Sequence, residues 1–311
     1  MPTRKEASKI KAEWIDKRNN AIDGKIANLQ QQVFEDIIPD VIAIAKQEEI
    51  RKKVKAGSLA PITSLENKLR KNFQAGFPEI MRETTRSARA LGDLNLVYFS
   101  TMLDTNRLDE IRDKTLKTVN RKLGVDADGK LIPGGFVDKS IKDTSIQLKF
   151  VKEVKKLLSS NADTQTLIQG IKRFFVGTED QNGVIAKHYN TFSGNLLNTI
   201  DRNNSITFAD ELDLRFFYYF GGLIKSSRSF CIKKNGKIFS REQAEKWKDD
   251  PFIVKVYGSD IDQYKPLENM GGPNCLHTPD FITDDLAKGN MREQNSIASQ
   301  RNKNFVARHG L

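Results

Sequence analysis

Cysteine is scarce: Cys231 and Cys275 are the only two in 311 residues. Two cysteines make no disulfide framework and suit a reducing cytoplasm. Three histidines, His188, His277 and His309, leave little material for acid–base chemistry or a multi-metal site. Long apolar runs are missing as well. Val41–Ala45 and Phe216–Phe220 fall far short of the roughly 18 residues that a membrane helix needs. With a mean hydropathy of -0.53, this speaks against an integral membrane protein. The first residues, Met1 to Glu6, run straight into charges, so no secretory signal is expected. The glycine-rich phosphate loops, the Gly-x-Ser-x-Gly elbow and His-Glu-x-x-His are absent, which removes the common nucleotide, hydrolase and metalloprotease chemistries. No zinc-finger, RNA-recognition or helix-turn-helix signature supports sequence-specific nucleic-acid readout.

Positive charge, in contrast, is plentiful. Lys and Arg number 51 against 40 Asp and Glu, a formal net charge of +11. The excess concentrates in residues 51–92, which include Lys52, Lys53, Lys68, Arg70, Lys71, Arg82, Arg86 and Arg89, and in the last residues, with Arg301, Lys303 and Arg308. Such clusters suit DNA backbone or an acidic partner, and equally a solvated helix face.

Periodicity predicts an α+β chain: a predominantly α-helical N-terminal two-thirds, then a small C-terminal α+β module containing a β-hairpin. Ile22, Ile26, Leu29, Val33 and Ile37 form one helical stripe, suited to a partner helix in the same chain or another. Pro39, Gly76-Phe77-Pro78 and Gly92 read as kinks or breaks. Residues 1–125 are expected to form a long-helix region suited to self-association or to contact with another protein. Residues 126–183 form a linker and helical region, 184–285 the compact module, and 286–311 a basic, flexible tail. Within the module, Val184–Arg202 is helical and Phe216–Ile224 a strand, and Asn235-Gly236 reads as a hairpin turn. Ser240 and Gln243 make a capping box, and Ile253–Tyr257 a strand.

The residues with chemical potential lie in this module: Arg228, Cys231, Gly236, Lys237, Trp247, then Gly271, Gly272, Asn274, Cys275 and His277. Cys231, Cys275 and His277 are three zinc-compatible ligands, with Asp280, His188 or water as a fourth. Alternatively both cysteines are small buried hydrophobes, and His277 donates to a backbone carbonyl that locks the loop. Arg228 is expected to pair with a carboxylate such as Asp249 or Asp280, and Trp247 to pack on the hairpin.

The order Arg-x-x-Cys, Gly-Lys turn, Trp on a short helix and Gly-Gly-x-Asn-Cys-x-His resembles the phage Mu protein F-like family, the minor head (head morphogenesis) proteins of tailed bacteriophages. The likeness covers roughly residues 185–285. Leu276 stands where relatives often carry Arg, and the second cysteine that many have near the first is missing. The resemblance implies a non-enzymatic protein inside the virion near the portal, assembled in the host cytoplasm. Its partners would be the portal protein, other head components and, non-specifically, genomic DNA. It would act in head morphogenesis, DNA packaging or DNA delivery, without a cofactor unless zinc. The alternatives are a metal-dependent nuclease or hydrolase with Asp280 or Glu268 as general base, and a freestanding cytoplasmic nucleic-acid-binding protein.

Overall fold

Ile22, Ile26, Leu29, Val33 and Ile37 lie buried along one helix, α1 (Arg4–Ala45), in the computed structural model, which describes residues 2–56, 60–160, 163–193, 195–273 and 275–310. The chain continues through α2 (Glu48–Lys55), α3 (Thr63–Ser100), α4 (Arg107–Leu123), α5 (Phe136–Lys142), α6 (Ser145–Ser159) and α7 (Thr164–Phe175). A short ribbon, β1 (Gly177–Thr178) against β2 (Gln181–Asn182), precedes α8 (Val184–Ser193) and α9 (Leu196–Glu211). Strands and short helices then alternate: β3 (Phe216–Phe220), α10 (Ser229–Lys234), β4 (Ile238–Ser240), α11 (Arg241–Glu245) and α12 (Pro251–Tyr257). Last come α13 (Pro266–Asn269), β5 (Thr278–Ile282) and α14 (Asp284–His309). The class is α+β as expected, with a helical N-terminal region and antiparallel strands in the small C-terminal part.

Spatially the chain forms two units that cut across the sequence blocks. One comprises Met1–Lys17, Ser87–Asn120 and Asn195–Leu311; the other comprises Arg18–Arg86 and Arg121–Gly194. In the second unit α1 and α3 run antiparallel. Arg18 meets Glu83 at 3.2 Å, Lys25 meets Glu79 at 3.2 Å, Asn72 reaches Asp36 at 3.1 Å and Lys68 reaches Asp40 at 2.7 Å. Gly76 lies inside this pairing, where an added Cβ would come within 2.4 Å of Leu29 Cδ1. The stripe therefore packs on a helix of its own chain, and Gly76 permits the close approach.

The breaks expected at Pro39, Gly76-Phe77-Pro78 and Gly92 do not occur; α1 and α3 run through them. A proline inside a helix costs about 3 kcal/mol. Val33, Ile37 and Val41 flank Pro39, and Phe73, Phe77, Ile80 and Met81 flank Pro78, all of them buried. At about 2 kcal/mol for each such side chain, burial outweighs the penalty. In the same unit Ile146, Phe150, Val154 and Leu158 make the buried face of α6, and Asp163 caps α7 by accepting from Thr166 N–H at 2.7 Å.

The first unit is built on a three-stranded antiparallel sheet in the order β4-β3-β5. Phe217 on central β3 stands opposite Phe239 and Phe281, and Tyr219 stands opposite Pro279. Phe217 and Tyr219 are fully buried, whereas Phe216, Tyr218 and Phe220 on the other face are half-buried. The Ser240–Gln243 capping box forms as read.

Four local expectations are corrected. Residues 231–234 are helical rather than the first arm of a hairpin. Gly236, at φ 75°, ends α10 in a left-handed turn, and the partner of β4 is β3. Ile253–Tyr257 belongs to α12, started by the Asp250 cap and Pro251, which override its β-branched composition. The helix expected over Val184–Arg202 is two helices, separated near left-handed Asn195. The tail is not loose but forms α14, for a reason found in the sheet edge. Asn295 accepts from Ile238 N–H at 2.7 Å and donates to Ile238 O at 3.1 Å; Gln294 donates to Gly236 O and Asn302 to Asn235 O. The amide-rich composition thus pairs the open backbone of β4, as an edge strand requires.

Candidate metal centre

Cys231 comes from α10, whereas Cys275 and His277 come from the segment leading into β5. The two Sγ atoms lie 3.8 Å apart, Cys275 Sγ lies 3.6 Å from His277 Nδ1, and all three ligand atoms fall within 4.8 Å of one another. A tetrahedral zinc with Zn–S of about 2.3 Å and Zn–N of about 2.05 Å would set an S–S edge of about 3.8 Å and an S–N edge of about 3.6 Å. Two edges of the triangle match. The Tyr219 hydroxyl, from β3, lies 3.3 Å from Cys231 Sγ and 3.7 Å from Cys275 Sγ, against the two sulfurs. Donor type, burial and two of the three spacings suit zinc, which would be held by Cys231, Cys275 and His277; the third edge, Cys231 to His277, lies within 4.8 Å.

Neither protein ligand considered as a fourth joins them. Asp280 accepts from Ser8 at 2.6 Å and from Lys11 at 3.1 Å. His188 belongs to the other unit, where its Nε2 lies 3.0 Å from Ser140 O and its ring packs on Phe73 and Phe77. The two thiols are not equivalent. The hydrogen bond to Cys275 and burial push Cys231 up, while the hydrogen bond from Cys231, with His277 and Arg202 nearby, holds Cys275 down. Cys275 is therefore the more acidic thiol of the pair, and a metal takes the thiolate form.

Two arginines hold this loop by its carbonyls. Arg228 donates to Gly271 O at 2.7 Å and to Pro273 O, not to Asp249 or Asp280. Arg202, buried on α9, donates to His277 O at 2.8 Å, to Glu268 O at 3.0 Å and to Cys275 O. The loop lock expected from His277 is thus supplied by Arg202. Gly271 closes over the sulfurs, where an added Cβ would lie 2.4 Å from Cys231 Sγ. Gly272 takes φ 90°, a conformation that favours glycine. Trp247 sits in the core, its ring 5.3–5.9 Å from those of Phe217, Tyr219, Phe230 and Phe239. Gly236 and Lys237 stand apart from the cluster and extend the ladder through Gly236 N–H to Tyr219 O and Tyr219 N–H to Lys237 O. Asn274 lies outside the described residues.

Sequence reasoning missed a second buried assembly. Lys11 on α1 sits between Asp201 (3.2 Å) and Asp280 (3.1 Å), all three fully buried. Asn95 and Thr278 donate to Asp201 at 2.8 and 3.0 Å. Its signal was present: Asn198, Asp201, Arg202 and Ser205 recur at three- and four-residue steps, a polar stripe on a helix that buries it.

The basic residues have mostly local partners. Lys52 and Lys53 pair with Glu48 and Glu49 at 2.8 Å, Arg82 with Glu79 and Arg86 with Glu83. Lys68 pairs with Asp40, and Arg70 donates to Asn67. Lys71 is exposed, and Arg89, in the other unit, is half-buried. Arg301, Lys303 and Arg308 are exposed on α14. Glu268, considered as a general base, pairs with Lys265 at 3.2 Å. Among the described residues no helix is long and apolar enough to cross a membrane. No protein-family model, curated protein or solved structure matches the chain.

Proposed function

We propose that the chain is a non-enzymatic minor head protein of a tailed phage. It would lie inside the capsid at the portal vertex and act in head morphogenesis, DNA packaging or DNA delivery. One observation carries this reading. The residues through which the chain resembles the Mu F-like proteins, Arg228, Cys231, Gly271, Cys275 and His277, converge on one buried knot. The knot ties α10 to the segment before β5: Arg228 spends its nitrogens on backbone carbonyls, and the two thiols and His277 Nδ1 lie against each other. That is the economy of a structural lock on an assembly module. The portal protein and other head components are its partners, and exposed Lys71, Arg301, Lys303 and Arg308 are available for genomic DNA.

The metal-dependent hydrolase reading is favoured only by the fit of the Cys–Cys–His cluster to zinc. A catalytic zinc keeps an open position. Here the candidate bases Asp280 and Glu268 are engaged elsewhere, with Lys11 and Lys265. Counting this chain against the portal protein by quantitative mass spectrometry of purified particles tests the proposal. A reproducible presence in numbers no greater than those of the portal supports it, and absence from mature particles overturns it. Nuclease activity that disappears with bound zinc in His277→Ala would support the hydrolase instead.

A further inference from the structure

Lys11 has a third neighbour besides its two carboxylates. Its Nζ lies 3.4 Å from the Oδ1 atom of Asn95 on α3, a residue 84 positions away in the chain. Lys11, Asn95, Asp201 and Ser205 are each no more than 1% exposed, and all four belong to the first unit. Hydrogen bonds fix which way the Asn95 amide points. Its Nδ2 donates to Leu91 O at 2.9 Å and to Asp201 Oδ1 at 2.8 Å, and its Oδ1 accepts from Ser205 at 2.9 Å. The same Asp201 Oδ1 lies 3.2 Å from Lys11 Nζ. One carboxylate oxygen therefore touches both an amine and the amide nitrogen that an attacking amine would displace.

These are the parts of an amide transfer. An amine becomes a nucleophile once an adjacent base takes its proton. A carboxamide carbon accepts attack more readily when a donor faces the oxygen that turns negative, as Ser205 does here. Burial keeps out water, the competing nucleophile. Asp201 and then Asp280 favour the charged amine at rest, so its reactive form is the minor one. The reaction need occur only once in each chain, however, and oriented neighbours reach effective concentrations of about 10⁵–10⁸ M.

We infer that Lys11 and Asn95 join in an intramolecular isopeptide bond that fastens α1 to α3, with Asp201 carrying the protons. Asp201 Oδ1 takes one proton from Lys11 Nζ, whose lone pair then bonds to Asn95 Cγ. Asn95 Oδ1 becomes an oxyanion, held by Ser205. Asp201 passes its proton to Nδ2 and takes a second one from Nζ. The Cγ–Nδ2 bond breaks, the carbonyl reforms and ammonia leaves. One positive amine and one carboxylate are neutralised together, so the net charge of the buried site does not change. A cavity of about 350 Å³, with Lys11 and Asp201 on its wall, gives the ammonia a way out. Because the reactive form is minor the bond forms slowly, and freshly prepared chain shows the ion triad and its response to pH. The inference does not depend on the head-assembly role proposed above.

Intact-mass spectrometry of the full chain, fresh and after prolonged incubation at mildly alkaline pH, tests this. A species lighter than the sequence by the mass of one ammonia is expected to grow with time. Trypsin should release from it a branched peptide joining residues 10–17 to residues 90–107, uncut after Lys11. That peptide separates the bond from closure of an asparagine on its own backbone, which also loses ammonia. Lys11→Arg keeps the positive charge without the nucleophile, Asp201→Asn removes the proton carrier, and both should keep the full mass. Ser205→Ala, the smaller change should Asp201→Asn not fold, is expected to slow the bond by about 100-fold. A full mass after incubation, loss of ammonia without the branched peptide, or undiminished linking in folded Asp201→Asn or Ser205→Ala overturns the inference.

Discussion

Arg202 Nε donates to the carbonyl of His277 at 2.8 Å, and its other nitrogens reach the carbonyls of Glu268 and Cys275. One side chain on α9 thereby spans the loop that carries two of the three metal-compatible ligands. Burial pulls its pKa down, with Cys275 and Tyr219 opposing. The planar fork serves three acceptors at once, which an ammonium cannot do. Replacing Arg202 by Met is expected to lower stability by about 3 kcal/mol, because three buried carbonyls lose their donor. Zinc affinity should fall with it, and Arg202→Lys should recover only part of either. Urea unfolding and competitive zinc titration measure both quantities.

Lys11 holds together a buried triad with Asp201 and Asp280. Lys11→Met is expected to cost about 3–5 kcal/mol, since it strands two buried carboxylates. The triple variant with Asp201→Asn and Asp280→Asn should lose less. Burial pulls the ammonium down, but Asp201 and then Asp280 prevail, and its pKa is raised above 10.5. The stability it contributes is therefore complete below that value and lost as pH rises through the higher folded value. Melting temperatures across the alkaline range should show this loss in the wild type and not in the triple variant.

His188 behaves in the opposite sense. Burial lowers its pKa below 6.5, although its bond to Ser140 O and nearby Asp143 oppose this. The unfolded chain takes up this proton first, so the contribution is complete above 6.5 and is lost as pH falls through the folded value. Urea midpoints measured from neutral pH into the acid range should decline, and His188→Gln should remove this part of the decline.

Gly271→Ala places a Cβ 2.4 Å from Cys231 Sγ, against nothing within 4 Å for Gly222→Ala. Overpacking of this kind costs about 1–3 kcal/mol. The first variant should lose stability and zinc together, while the second stays near wild type by thermal unfolding and metal analysis.

Asn295→Leu removes both hydrogen bonds to Ile238 at the edge of β4. A loss of about 2 kcal/mol is expected, together with concentration-dependent light scattering as the edge becomes available to other chains. Unchanged stability and scattering would show that α14 does not protect this edge.

Much of the local structure was legible in residue order. The α1 stripe and the Ser240–Gln243 capping box depend on neighbours within one or two turns. So does the overall division into helical and mixed regions. The Cys231, Cys275 and His277 grouping was also legible, because residue type alone limits which side chains can share a metal. The errors have one origin. Pro39, Pro78, Asn235-Gly236 and Ile253–Tyr257 were judged by local preference, worth at most a few kcal/mol. Burial of distant side chains decided the two prolines, and cap and turn geometry decided the other two.

By itself, then, the sequence determined the periodic helix faces, the excess of positive charge and the three residues able to ligate a metal. Tertiary structure alone decided that Arg202 clamps the loop around them, that Lys11 is buried between Asp201 and Asp280, and that an amide-rich tail closes a sheet edge. These depend on groups far apart along the chain, and a buried polar atom takes whatever partner the packing brings within hydrogen-bonding distance, which no local pattern encodes.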